Sequence, residues 1–191
     1  PGRAAGVDPG KTLWVVPLNS SSELQRVEGD SEAVSLETGC PQGQRLAQVS
    51  TPTPVDVHAL CEDPFGTRRT LVRSRDGGAT FQPVADDLSG AGLDGTATAR
   101  SLVFDEKAHG WLLLGGRSCA EGDLRGTKDG GATWKPLPCV GDSVDVDRVL
   151  RVDFAAGGQG ALVGLRGTSA VVAVTDDGGE SWRQVVPAVP Q

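Results

Sequence analysis

Residues 74–81 read SRDGGATF, residues 127–134 read TKDGGATW and residues 175–182 read TDDGGESW. All three obey Ser/Thr-x-Asp-Gly-Gly-x-x-Trp/Phe, and their aspartates, Asp76, Asp129 and Asp177, are 53 and 48 residues apart. A recurring period of that size marks a repeat architecture. The chemistry of the octet is that of a turn. The aspartate accepts hydrogen bonds from nearby backbone N–H groups and closes the loop. The pairs Gly77–Gly78, Gly130–Gly131 and Gly178–Gly179 permit positive φ where the chain reverses. Phe81, Trp134 and Trp182 then pack back over the hairpin and bury a large apolar area. The chain has four Phe, four Trp and no Tyr, so placing three aromatics at one position makes that position structural.

Working outward, short apolar stretches recur upstream of each octet. RLAQVS (45–50), PVDVHAL (54–60) and RTLVRS (69–74) precede the first. SLVF (101–104) and GWLLLGG (110–116) precede the second, and RVDF (151–154), GALVGL (160–165) and SAVVAVT (169–175) the third. The outer segments TFQPV, TWKPLP and SWRQVVP follow. Each unit reads strand, strand, strand, turn, strand. KTLWVVPL (11–18) and SELQRV (22–27) supply an earlier, degenerate unit in which Asp30 stands where the octet aspartate belongs. Abundant glycine (27) and proline (12), with no long helical pattern, fit many short strands joined by turns. The expectation is one all-β domain over residues 1–191, a β-propeller of about four four-stranded antiparallel blades. The blades fall at 11–44 (degenerate), 45–85, 100–138 and 149–187.

The three octets resemble the Asp-box (bacterial neuraminidase repeat) superfamily, over roughly residues 45–187. Sialidases, sortilin-type receptors and xyloglucan hydrolases share such repeats. The Gly-Trp strand before TKDGGATW is most similar to the photosystem II assembly factor family of propellers and its bacterial relatives. The resemblance implies blades radiating from a central channel with the boxes on the rim, and it implies no activity. Family propellers usually have six or more blades. This chain is therefore a compact four-bladed ring, an arc of a larger one, or half of a ring closed as a homodimer.

The formal net charge of −7 is the wrong sign for a nucleic-acid binder, which must displace counterions from phosphate. Strand alternation would put Arg69, Arg73 and Arg75 on one face, a local basic patch or a charged edge that resists aggregation. No apolar run is long enough for a transmembrane helix. A chain that opens with Pro1 and has no Met is expected to have lost a leader or further N-terminal sequence. Cys40, Cys61, Cys119 and Cys139 form no Cys-x-x-Cys pair. Their spacings, 61 − 40 = 21 and 139 − 119 = 20, favour the disulfides Cys40–Cys61 and Cys119–Cys139 among three pairings, and an oxidising, extracytoplasmic location. Four reduced, buried cysteines are the alternative.

Sialidase chemistry requires a Tyr nucleophile, and this chain has none. Another glycosidase would need two carboxylates across a cleft, and nothing singles out a pair among Asp86, Asp87, Asp94, Asp105, Glu106, Asp142, Asp145 and Asp147. Asp145 and Asp147 share a strand face that could hold a hard cation, but a solvated edge explains them as well. His58 and His109 occupy different slots of their units, which argues against a shared metal. AGVDPGKT (5–12) matches a relaxed phosphate-loop pattern, but strand-like TLWVVPL follows where a helix is required. No catalytic residue, metal or cofactor is expected.

The expected function is a non-enzymatic, extracytoplasmic protein-interaction module: a scaffold, assembly factor or receptor-like propeller. Its contacts should lie in the long loops at 62–68, 85–99, 117–126 and 140–147, with Arg68, Arg69, Arg117 and Arg125 as polar anchors. The alternative is a carbohydrate-binding or degenerate hydrolase-like propeller, which would stack sugars on Trp14 or Phe65, since Trp111 reads as core.

Overall fold

The computed structural model describes residues 2–7, 12–17, 22–85, 88, 97–115 and 123–185. Its strands form four four-stranded antiparallel sheets, each in chain order. The first sheet holds β1 (Gly2–Val7), β2 (Thr12–Pro17), β3 (Glu23–Glu28) and β4 (Val34–Glu37). The second holds β5 (Arg45–Ser50), β6 (Val57–Glu62), β7 (Arg69–Ser74) and β8 (Gln82–Ala85). The third holds β9 (Ala99–Phe104), β10 (Gly110–Leu114), β11 (Asp123–Thr127) and β12 (Lys135–Pro136). The fourth holds β13 (Arg148–Phe154), β14 (Gly160–Arg166), β15 (Ser169–Thr175) and β16 (Arg183–Val185). One helical turn, α1 (Val140–Ser143), interrupts the crossover between the last two sheets. β6 begins at Val57, later than the apolar run from Pro54 suggests, because the loop before it meets the octet: Gly77 N–H donates to the Val55 carbonyl (3.0 Å).

The sheets stack side by side as blades. First strands touch in sequence, β1 with β5, β5 with β9 and β9 with β13, so they line the inner side of an arc. Alternation along each strand gives every blade two apolar faces. Three buried clusters fill the spaces between successive blades. Trp14, Val16 and Leu24 meet Leu46, Val49 and Val57 between the first two. Leu60 and Leu71 meet Leu102, Phe104 and Trp134 between the second and third. Trp111, Leu113 and Leu124 meet Val152, Phe154 and Trp182 between the third and fourth. A closed ring has as many such cores as blades. Four blades with three cores, among the described residues, form an arc.

The three octets are the joints of this arc. In each, the aspartate is closed into a ring of hydroxyls. Asp76 accepts from the Ser74 hydroxyl (2.7 Å), the Thr80 N–H (2.9 Å) and the Thr80 hydroxyl (2.7 Å). Asp129 makes the same bonds to Thr127 and Thr133, and Asp177 to Thr175 and Ser181. The Ser74 hydroxyl also accepts from the Gly78 N–H (2.8 Å), as Thr127 does from Gly131 (3.0 Å) and Thr175 from Gly179 (3.1 Å). Both glycines of every octet have positive φ.

The second glycine faces the preceding blade so closely that a side chain there would force its neighbour to move. A Cβ on Gly78 would lie 2.7 Å from Leu36, and one on Gly131 would overlap Leu71. A Cβ on Gly179 would be 3.2 Å from Leu124. The first glycine has room at Gly130 and Gly178, with nothing nearer than 3.6 Å at Gly130, while at Gly77 the Arg26 guanidinium would lie 3.1 Å away. Gly130→Ala and Gly131→Ala share the cost of positive φ, and only the second adds a steric clash. Gly131→Ala should therefore lose about 1–3 kcal/mol more than Gly130→Ala, read from urea midpoints at unchanged m-value. Equal losses would mean that the joint is not sterically tight.

Candidate functional site

Strand alternation places the octets at one end of the arc and the β6–β7 and β4–β5 connections at the other. At the octet end, a cleft of about 600 Å³ opens on the inner side, lined by β5, β9 and β13 and the turns that follow them. Much of its polar lining joins the blades to one another. The Ser50 hydroxyl accepts from the Phe104 N–H (2.7 Å), and the Ser101 hydroxyl from the Val152 N–H (3.3 Å). Gln48 donates to the Ala99 carbonyl (3.0 Å) and Arg100 to the Val149 carbonyl (2.6 Å). Asp105 is buried and closes the β9–β10 turn, accepting from the Lys107 and His109 N–H groups (both 2.9 Å) and facing His109 Nδ1 (3.0 Å). Glu106, Arg151 and Asp153 remain exposed there.

A second groove, of about 800 Å³, runs between the last two octets over Trp111 and Leu137. Lys107, Lys128 and Lys135 line it together with Asp129, Asp177 and Glu180, so its side-chain charges balance. Among the described residues no group of three His, Cys, Asp or Glu side chains is placed to hold a metal ion. Asp145 and Asp147 are engaged by the β14–β15 turn: Arg166 pairs with Asp145 (2.8 Å), and the Gly167 N–H donates to Asp147. Asp86, Asp87 and Asp94 lie outside the described residues.

The other end carries the loop between β6 and β7. Asp63 organises it, accepting from the Thr67 N–H (2.6 Å), the Thr67 hydroxyl (2.6 Å) and the Arg68 N–H (3.1 Å). These bonds, the Thr67 hydroxyl first, hold its carboxyl below the usual carboxylate range. Beneath the loop, Arg69 and Glu62 form a buried ion pair (2.9 Å). Arg69 also donates to the Ala97 carbonyl, and Glu62 accepts from the Ala99 N–H (3.1 Å). Breaking a buried pair of this kind costs about 3–5 kcal/mol. The Cys40–Cys61 disulfide anchors the β4–β5 connection to β6 alongside, and a link of that span contributes about 3 kcal/mol. On this rigid base Phe65 stands 74% exposed. Arg68 is exposed beside it, and Pro64 lines a small pocket of about 380 Å³ with residues 40–45.

Four expected anchors therefore divide. Arg68 is exposed. Arg69 is 1% exposed and spent on Glu62, so it cannot meet a partner. Arg125 is half-buried and bound to its strand neighbour Asp123 (Nε, 2.9 Å). Arg117 lies outside the described residues, as does Cys119, while Cys139 is disulfide-bonded. The basic face of Arg69, Arg73 and Arg75 does not exist, because Arg73 forms a two-pronged pair with Asp56 (2.7 and 2.6 Å). Trp14 is fully buried between the first two blades and cannot stack on a sugar.

Two features escaped the sequence reading. The seventh octet position is Thr80, Thr133 or Ser181, a hydroxyl in all three, and that repetition was there to be read. His58 had no such signal. It holds the slot that Trp111 holds one blade later, as the register of β6 and β10 against the octet Ser/Thr shows. Trp111 donates to the Gly178 carbonyl (2.8 Å) and stacks on Phe154 at 4.2 Å. His58 instead meets Phe104 edge-on at 3.8 Å, fully buried, its Nε2 3.5 Å from Asp56 and, among the described residues, neither ring nitrogen hydrogen-bonded. Burial, only partly opposed by Asp56, lowers its pKa to about 3.

That shift sets a pH dependence. The unfolded imidazole titrates near 6.5 and the folded one near 3, so between these values the unfolded chain binds the extra proton and stability falls as pH falls. The slope approaches about 1.4 kcal/mol per pH unit. The octet aspartates, with pKa values lowered to about 2, act in the same direction but only below the ordinary carboxylate range. Urea midpoints measured from about pH 6.5 to 4.5 should fall, and His58→Leu should flatten that decline. An unchanged decline in the variant would place its origin elsewhere.

No protein-family model matches the chain, and no curated protein matches it by sequence. Solved structures do. A GH74 enzyme of Niastella koreensis superposes on 97% of this chain with a TM-score of 0.62 and 17% identity. The Hadza microbial sialidase superposes on 92% with 0.57 and 15% identity, and the endo-arabinase of Bacteroides thetaiotaomicron on 91% with 0.57 and 15% identity. The chain spans 30% of the GH74 enzyme, 43% of the sialidase and 75% of the endo-arabinase. At these identities the likeness is one of fold, and the fold is the β-propeller.

Proposed function

We propose that this protein is a non-enzymatic, extracytoplasmic protein-interaction module whose contact end is the Phe65 loop. The observation that carries the reading is a large aromatic held in water on a loop fixed from beneath by Asp63, the Glu62–Arg69 pair and a disulfide. Leaving an aromatic exposed forgoes its burial energy, and ordering its loop in advance lowers the entropic cost of binding. Arg68 and the pocket beside Pro64 add a charged anchor and a concavity. The disulfide supports a location in an oxidising compartment. The octets and the Gly-Trp strand support a place among Asp-box propellers of the assembly-factor type. The lack of Tyr and the use of Asp105 as a turn closure support a role other than hydrolysis.

Carbohydrate binding is the second reading, favoured by the propeller enzymes that share the fold and by the ability of Phe65 to stack on a sugar ring. One comparison separates the two. Wild type and Phe65→Ala are immobilised and exposed to an envelope extract and to a glycan array. The expected outcome is one protein retained by wild type and lost at least ~10-fold on Phe65→Ala, a hot-spot loss, with thermal stability unchanged. Retention of a glycan alone, abolished by Phe65→Ala, would replace the first reading with the second.

A further inference from the structure

Each blade has a leading face toward the blade before it and a trailing face toward the blade after it. On the trailing face, the second strand shows Trp14 and Val16, then His58 and Leu60, then Trp111 and Leu113, all buried by the next blade. The matching pair in the fourth blade is Ala161 and Val163, both exposed, Val163 by 44%. Register extends that surface across the sheet: Val163 pairs with Val172, Val172 with Val185, and Ala161 with Val174. Leu150, at the bulge of β13, is 39% exposed. This is the composition of an inter-blade core with nothing on it among the described residues.

The opposite vacancy lies on the first blade. The leading faces of the later blades bury Ala59 and Cys61, Leu112 and Leu114, and Leu162. On the first blade the corresponding side chains, Leu13 and Val15, are only half-buried, and Val27 lies across the ladder from Leu13. The two open faces are also complementary in charge. Three arginines against one carboxylate flank the apolar rows of the fourth blade: register pairs Arg148, Arg151 and Arg183 with Leu165, Val163 and Val174, and Asp153 with Ala161. Glu23 and Glu37 sit opposite one another on the leading face of the first. Among the described residues these faces do not meet: inner-strand contacts run β1–β5–β9–β13, and no comparable contact returns from β13 to β1.

We infer that the trailing face of the fourth blade docks the leading face of the first blade of a second copy of this chain. The contact continues the packing already made three times within the chain. It joins two different surfaces, and made twice it would close two copies of four blades into one ring with no open blade face. The proposal is independent of the Phe65 loop, which sits on the second blade.

Light scattering of the chain after size exclusion should give twice 19.7 kDa. Val163→Glu and Val15→Glu should each reduce it to one copy, with far-UV circular dichroism unchanged. Mixing the two variants should restore a dimer, since one wild-type trailing face then meets one wild-type leading face. Arg151→Glu, which leaves the apolar rows intact, should raise the dissociation constant at least ~10-fold, and more at low salt. A wild-type monomer at tens of micromolar, a dimer insensitive to both valine variants, or variants that fail to complement would each overturn the inference.

Discussion

The whole arc rests on one contact, the glycine that presses each octet against the blade before it. Gly78, Gly131 and Gly179 bring backbone to within a methyl group's width of Leu36, Leu71 and Leu124. That approach needs a residue without Cβ and a backbone in the left-handed region. Local bonds hold it there: the aspartate binds the hydroxyls and N–H on both sides, and the first hydroxyl receives the glycine's own N–H. Aromatic rings pack against the bare glycine: Trp14 on Gly78, Phe104 and Trp134 on Gly131, and Phe154 on Gly179. Hydrogen bonding within the turn thus sets the spacing of the hydrophobic cores between turns.

The three joints are built alike and tuned differently. Between the third and fourth blades Trp111 stacks on Phe154, which meets Trp182 edge-on, and the Trp111 indole is bonded to the joint's carbonyl. Between the first and second, Arg26 reaches the equivalent carbonyl, that of Gly77 (2.7 Å). Between the second and third, the His58 imidazole stands in that place, near Asp56 but without a hydrogen bond among the described residues. An unpaired polar ring in an apolar core gives up stability relative to a matched one, which makes the middle joint the acid-sensitive member of the set.

Much of this was legible because it is local. Asp76, Asp129 and Asp177 with their glycine pairs spell out a turn, and their spacing spells out a blade. The spacing of Cys40 and Cys61 matched a bond that the structure contains. What escaped depends on segments distant in sequence. Arg69 looks like an exposed strand arginine until residues 97–99 of the next blade arrive to bury it. Arg73 looks like one arm of a basic face until the turn before β6 brings Asp56 against it. Trp14 reads as a spare aromatic because its blade lacks the octet that would have identified its core. Alternation tells which side of a sheet a residue faces, and it says nothing about whether another sheet lies there.

Because each joint is encoded within a single octet and the strands beside it, the arc contains no instruction for its own length. Nothing in the bonds of Asp129 depends on whether its blade is the third of four or the third of seven. A chain written this way can lengthen by duplicating about fifty residues, and the inserted blade brings its own fastening. The number of blades is then decided by gene arrangement, and the curvature by the joint, so that two proteins sharing every local contact can differ in the diameter of the channel they enclose.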